Sequence, residues 1–434
     1  MANIPAFGIP PYGLSFFGAF VAYWVIWIIY CRTLYPLARV PVYRMLRGDL
    51  EVAQNKLHKK YRPLICIAPE EVSCADASVI SLIYSSHSPL PKTDCENADL
   101  FSETNEEKHT KRRKIVSSAY QMSSVLRNEP AIDECITLFT KQVRELAVKK
   151  EVINLGEWIN FYPHDVLGPV LFSRRFGYLE TGGDVGSFLN ALDKAVPFIY
   201  VIAAASNYIR KALMFLSIFI PGTLGHLQAI QATTYAAKQQ TQLRMERSTQ
   251  EKDSRPDILS QLLHISRKLN QKNHLPSAPV SYNETVKHLP YIGACIKEAL
   301  RLFPTVGFSL PRVAPPQGIV LRGQNIPSGY VVGVNPHTIQ FNTEVFGDDA
   351  EEFRPERWLE SQARNFEMEK NLLSFGAGTR TCVGKNIALA EMYKFIPEAL
   401  RNFDIYMAHD GPLKTWNAGF IRQNGLITRI AEQA

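Results

Sequence analysis

The chain is poor in cysteine, and none of it stands in close pairs. Seven cysteines, Cys31, Cys66, Cys74, Cys95, Cys135, Cys295 and Cys382, stand in 434 residues with no CxxC spacing. An odd, scattered set of this kind argues against a disulfide framework and for a reducing compartment. The charge excess is not packed into one long tract either: 48 Lys and Arg against 41 Asp and Glu give a net charge of +7 spread along the chain. Without a basic tract, nucleic-acid binding is not indicated. Internal repeats and low-complexity tracts are also absent. What is present is a composition 46% hydrophobic and 21% charged, which suits a large folded protein and excludes disorder, collagen-like repeats and coiled coil.

Charge is missing altogether before Arg32, and Gly13 to Cys31 is an unbroken, mostly apolar run. At ~1.5 Å per residue such a helix matches a hydrocarbon core of roughly 30 Å. A cleaved signal peptide would need a basic stretch before the run and a small-residue cleavage site after it, and neither is present. A transmembrane anchor over residues 1–31 is therefore expected. Arg32, Arg39, Arg44 and Arg47 precede the first acid, Asp49, so the positive-inside rule leaves residues 32–434, read as one domain, in the cytosol.

From Asp49 to about Phe303 the apolar spacing is mainly helical, as in Ala131 to Ala147 and Ile258 to Ile265. Between Pro304 and Pro355, prolines and glycines punctuate short β-branched runs such as Gly318-Ile-Val-Leu and Tyr330-Val-Val-Gly-Val, which read as strands joined by turns. The expected fold is mainly α with a small β-sheet region. Val196 to Ile220 is apolar but interrupted by Pro197, Asn207, Arg210 and Lys211; its pieces are too short to span a bilayer and read as two core helices or as a mouth dipping into the membrane surface.

The segment with the clearest chemistry is residues 374–391, SFGAGTRTCVGKNIALAE. Gly376, Gly378 and Gly384 permit tight turns and close approach to a flat group, and a helix starting near Lys385 sets its positive end at Cys382. A lone cysteine there, with no second ligand at zinc spacing, suits a single axial thiolate bond to haem iron. The plain alternative is an inert buried cysteine.

Phe375-x-x-Gly378-x-Arg380-x-Cys382-x-Gly384 resembles the haem-binding signature of the cytochrome P450 family. Lys297-Glu298-Ala-Leu-Arg301 is similar to that family's ExxR pair, and Phe353-Arg-Pro-Glu356-Arg357-Trp358 to the segment whose arginine joins it. One helical turn apart, Glu298 and Arg301 can bond on one face, with Arg357 closing a triad. By the same resemblance Arg312, in Ser309-Leu-Pro-Arg312-Val, and Arg380 meet haem propionates, and His109-x-x-x-Arg113 stands where the family has Trp-x-x-x-Arg. Lys111, Arg112 and Lys114 join Arg113 in a basic cluster: a solvated helix face, or a surface that steers an acidic reductase. Arg47-Gly-Asp-Leu and Phe346-Gly-Asp-Asp-Ala-Glu-Glu-Phe are similar to fungal members of the pisatin demethylase type. The resemblance implies a cytochrome P450 fold, haem as cofactor, NADPH acting indirectly through a P450 reductase, an endoplasmic reticulum membrane setting, and oxidation of a small apolar molecule in secondary metabolism.

Two features depart from the family pattern. The long helix over the oxygen-binding face of the haem has no counterpart here. Asp257 to His264 runs almost directly into the ExxR helix through a polar stretch holding Pro276 and Pro279, so a truncation between residues 265 and 285 is expected. Gln340-Phe341-Asn342 stands where relatives usually have a His-Arg-like pair. Without the distal groups that deliver protons, a catalytically impaired or non-enzymatic relative, or a peroxide-dependent haem enzyme, is the alternative expectation.

Overall fold

The structure is a computed structural model describing residues 48–61, 63–68, 70–93, 100–203, 215, 279–409, 411, 413–417 and 419–433, together with Ala22 and Tyr23. Apart from those last two residues the expected anchor lies outside the described residues, as do Ile258–Ile265 and 266–278, where the missing helix is expected. Among the described residues no helix is long and apolar enough to cross a membrane.

In chain order the elements are α1 (Leu50–Tyr61), β1 (Leu64–Ala68), β2 (Glu71–Cys74), α2 (Ile80–Ile83), α3 (Glu106–Ser117), α4 (Met122–Arg127), α5 (Glu129–Val148), β3 (Val152–Asn154), α6 (Leu155–Phe172), α7 (Tyr178–Thr181) and α8 (Phe188–Ala203). They continue as α9 (Tyr282–His288), α10 (Pro290–Leu302), β4 (Arg312–Val313), β5 (Ile319–Leu321), β6 (Gln324–Ile326), β7 (Val331–Val334), α11 (Pro336–Gln340), α12 (Thr343–Phe346), α13 (Gln362–Lys370) and α14 (Lys385–Asn402). The chain closes with β8 (Phe403–Met407), β9 (Lys414–Asn417), β10 (Ile421–Asn424) and β11 (Ile427–Glu432).

Helices dominate because apolar side chains recur on one face. In α5 Ile132, Cys135, Ile136, Phe139 and Val143 are buried, at the three- and four-residue spacing of a helix face. They form the main core with α6 and α14, where Phe395 meets Phe139 edge-on at 4.8 Å and stacks on Tyr162 at 4.5 Å. The expected runs at Gly318 and Tyr330 form β5 and β7.

The described residues between Asp49 and Phe303 are mainly helical, as expected, with three short strands besides: β3, and β1 and β2 in a sheet of order β1-β2-β7-β4 with β2 parallel to β7 and the other pairs antiparallel. β7, the parallel partner of β2, lies far along the chain, so tertiary pairing decides what local spacing does not. One local expectation is corrected: Pro197 does not interrupt the apolar segment, since α8 runs through it; a proline removes one helical hydrogen bond without ending the helix here. The sheet ends on β4, which places Arg312 opposite Val332. The cysteines at 66, 74, 135, 295 and 382 are all free thiols.

Candidate active site

The cysteine loop follows a 3-10 turn, Leu373–Phe375, and closes against the start of α14. Gly376 and Gly378 adopt φ +71° and +65°, conformations other residues rarely take. At Gly378 a side chain is excluded twice over, because a Cβ would stand 2.1 Å from the Tyr84 carbonyl oxygen. The Cys382 amide donates to the Phe375 carbonyl at 2.7 Å, which pins the loop, and α14 begins three residues on. Cys382 is exposed. An inert, packed cysteine is thus excluded, and the positive end of α14 lies beside a sulfur open to a ligand. Phe375 is half-buried under the Lys385 ammonium, and a Cβ on Gly384 would only just touch Sγ, at 3.9 Å.

Around this loop cationic and imidazole groups converge from three parts of the chain. Asn105 caps α3 by accepting from the Lys108 amide at 2.9 Å. The helix then points His109 inward, buried, and Arg113 half-buried one turn later. Arg380 donates from Nε (3.0 Å) and Nη2 (2.5 Å) to one oxygen of Glu106, while its Nη1 is buried with no partner among the described residues. His109 Nδ1 and the second oxygen of Glu106 are in the same condition. Arg312 is buried, its guanidinium 4.9 Å from the Tyr84 ring centroid.

Burial, then the charge of Arg380, lowers the pKa of His109, which keeps the imidazole neutral near pH 7. Arg113 is lowered first by burial, then by Arg380, and raised by charge at Cys382. Arg312 is lowered mainly by burial, with Arg380 adding to it and Tyr84 and Glu106 opposing. These mutual influences place His109, Arg113, Arg312, Arg380 and Cys382 in one electrostatic neighbourhood.

A buried guanidinium nitrogen without a partner costs about 1–3 kcal/mol or more, and such a group marks a place where a ligand belongs. Haem carries two carboxylates and an iron that takes a thiolate. The exposed Cys382 sulfur, the open Arg380 Nη1, the neutral His109 and the buried Arg312 fit that group.

The expected triad is present and complete. Arg301 donates to both oxygens of Glu298, at 2.8 Å from Nε and 2.8 Å from Nη2, and Arg357 Nε donates at 3.0 Å. The Arg354 amide (3.0 Å) and Trp358 Nε1 (2.9 Å) add two more donors. All three charged side chains have 0% exposure. Burial alone raises the Glu298 pKa, but the bonds from Arg301, the Arg354 amide and Trp358 outweigh it and hold the carboxyl below its ordinary value.

The sequence model of the cytochrome P450 family matches residues 45–279 and 270–428. The chain belongs to the cytochrome P450 family. It is 35% identical to cytochrome P450 monooxygenase gsfF of Penicillium aethiopicum, covering 95% of this chain and 97% of the relative. It is also 35% identical to cytochrome P450 monooxygenase ACRTS1 of Alternaria alternata over 74% and 99%, and 29% identical to a pisatin demethylase of Fusarium vanettenii over 90% and 89%. A crystal structure of the cytochrome P450DA heme domain shares the fold, with a TM-score of 0.72 at 14% identity over 91% of this chain and 95% of that one. This cytochrome P450 is therefore an enzyme of the monooxygenase class, with haem iron as its cofactor and NADPH, through a reductase, as the family's source of electrons.

Sequence reasoning missed Glu106, Tyr84 and Ser374. Glu106 precedes His109 by one helical turn, a spacing that could have flagged it. The contacts of Tyr84 and Ser374 are made across the fold and leave no local signal. Of the basic cluster, Lys111 pairs with Glu107 at 2.7 Å and Arg112 with Glu103 at 3.0 Å, while Lys114 is exposed.

Proposed function

We propose that this cytochrome P450 oxidises a small apolar molecule in fungal secondary metabolism, with Cys382 as the iron ligand. The observation that carries the reading is the exposed Cys382 beside a buried Arg380 whose Nη1 has no partner. Fungal monooxygenase relatives support the pathway setting. When bound, haem supplies the redox-active iron that activates dioxygen for insertion of one oxygen atom.

The chain's own groups do the rest. Cys382 would hold the iron through its sulfur. Arg380, Arg312, Arg113 and His109 would anchor the two carboxylates by donated hydrogen bonds. Phe375 and Gly384 would let the loop approach the cofactor closely. The Glu298, Arg301 and Arg357 triad acts as scaffold. Residues 32–434 form the haem domain behind an anchor at 1–31 in the endoplasmic reticulum membrane, and the exposed lysines of α3 receive a P450 reductase.

The test is the spectrum of the reduced protein with carbon monoxide: thiolate ligation gives the strongly red-shifted haem band, and Cys382→Ser removes it. An unshifted band in the folded parent protein sinks the assignment of Cys382.

A second reading, an impaired or peroxide-dependent enzyme, draws support from two observations. The family match comes in two segments that meet at 270–279. The alignment to the Penicillium aethiopicum relative also spans 492 positions against 434 residues in this chain, so the relative has stretches without a counterpart. Product formed with NADPH and reductase favours the first reading; product formed with peroxide alone favours the second.

A further inference from the structure

Gln340 ends α11 and is fully buried, yet it belongs neither to the triad nor to the cysteine loop. Its side-chain Nε2 donates to the carbonyls of Leu300 (3.0 Å) and Arg301 (2.7 Å). These are last-turn carbonyls of α10, which have no partner within their own helix. Its Oε1 stands 3.1 Å from Ser374 Oγ, which is also 2.6 Å from the Leu300 carbonyl, so one hydroxyl proton is shared between two acceptors. From the other side, Arg301 Nη1 donates to the main-chain carbonyl of Gln340 at 2.7 Å. Ser374 is followed by Phe375, whose carbonyl receives the Cys382 amide.

We propose that Gln340 is a positioning residue whose side-chain amide locks the cysteine loop to the Glu298–Arg301 pair. The chemistry requires an amide, because two carbonyls need a donor while a hydroxyl needs an acceptor, and one group supplies both. Leucine of similar size strips the Arg301 carbonyl of this donor and leaves the Ser374 hydroxyl with the Leu300 carbonyl alone. Glutamate sets a carboxylate against two carbonyl oxygens. Histidine, with one donor and one acceptor, replaces part of the set. Gln340 thereby holds Ser374, and through it the start of the loop that presents Cys382. This rests on the assignment of Cys382 to the iron only for its effect on haem.

The test uses the full-length protein and two readouts. Hydrogen exchange of the segment 374–384 reports the loop whether or not haem is thiolate-bound, and transfer of haem to an apo-globin acceptor reports retention. Gln340→Leu is expected to speed exchange of 374–384 about tenfold, the loss of roughly one net buried hydrogen bond, with little change in the distant segment 129–148. Haem transfer rises in parallel. Ser374→Ala, a milder change that keeps the fold if Gln340→Leu does not, is expected to raise the same two readouts. Gln340→His restores part of the protection.

Equal acceleration in every segment, or an unchanged 374–384 in folded Gln340→Leu or Ser374→Ala, overturns the proposal. A parent protein lacking the thiolate band would overturn the assignment of Cys382 while leaving the exchange test decisive for Gln340.

Discussion

Two clusters of buried charge serve this cytochrome P450, and they are finished to different degrees. Around Glu298 the carboxylate accepts five hydrogen bonds, and Glu298, Arg301 and Arg357 leave no buried polar atom unpaired. Around Arg380 three buried atoms stay open, one each on Arg380, His109 and Glu106. A closed network stabilises the polypeptide itself, whereas an open one gives up stability to keep donors for something else. On the function proposed above, the first is scaffold and the second a receiving surface.

The comparison can be broken from both sides. Glu298→Ala leaves the buried Arg301 without a carboxylate, Arg357 keeping Asp349, and should cost about 3–5 kcal/mol, read as a fall in the thermal unfolding midpoint. If the variant matches the parent, the scaffold reading is wrong. Arg380→Gln breaks the pair with Glu106 and so lowers the midpoint of the haem-free protein, and it should also weaken haem retention about ten- to a hundredfold, as expected for one charged hydrogen bond; haem transfer to an acceptor measures the second effect. Trp358→Phe removes one of the five donors to Glu298 and should cost about 1–2 kcal/mol without altering the haem spectrum.

A buried carboxyl that stays neutral sharpens the contrast. Glu391, on α14, has an oxygen with no partner, and burial lifts its pKa to about 8. The folded protein therefore keeps a proton that the unfolded chain releases above its ordinary value of 4.5. Stability from this group is complete below pH 4.5 and declines as pH rises toward 8, by about 1.4 kcal/mol per pH unit. Glu391→Gln should flatten that slope in denaturant melts at pH 6 and pH 8; an unchanged slope would show that Glu391 stays charged. Glu298 has the opposite sign: its depressed pKa contributes stability above the ordinary carboxylate range, which is lost as the solution is acidified through the folded value.

Much of this was legible in the sequence, for identifiable reasons. Glu298 and Arg301 are three residues apart, so helical spacing alone predicts their pairing, and the start of α14 follows from the glycines before Lys385. The apolar stripe of α5 needs no partner to be recognised. Strands β1 and β2 were not legible, because β1 pairs on β2 and β2 is held by β7 more than two hundred residues later. The bond from Glu106 to Arg380 was hidden for the same reason, and so was Gln340, whose partners lie at 300, 301 and 374. Spacing reports neighbours along a helix and says nothing of meetings across the fold.

The contact between Gly378 and the Tyr84 carbonyl has a bearing on the order of assembly. The loop can settle only against a surface contributed by residues about 300 positions earlier, and closing so wide a span makes the Cys382 segment a late event. Pulse-labelled refolding should therefore find the amide of Cys382 protected no sooner than those near Tyr84. A ribosome, which delivers the early surface first, releases the loop into a mould already cast.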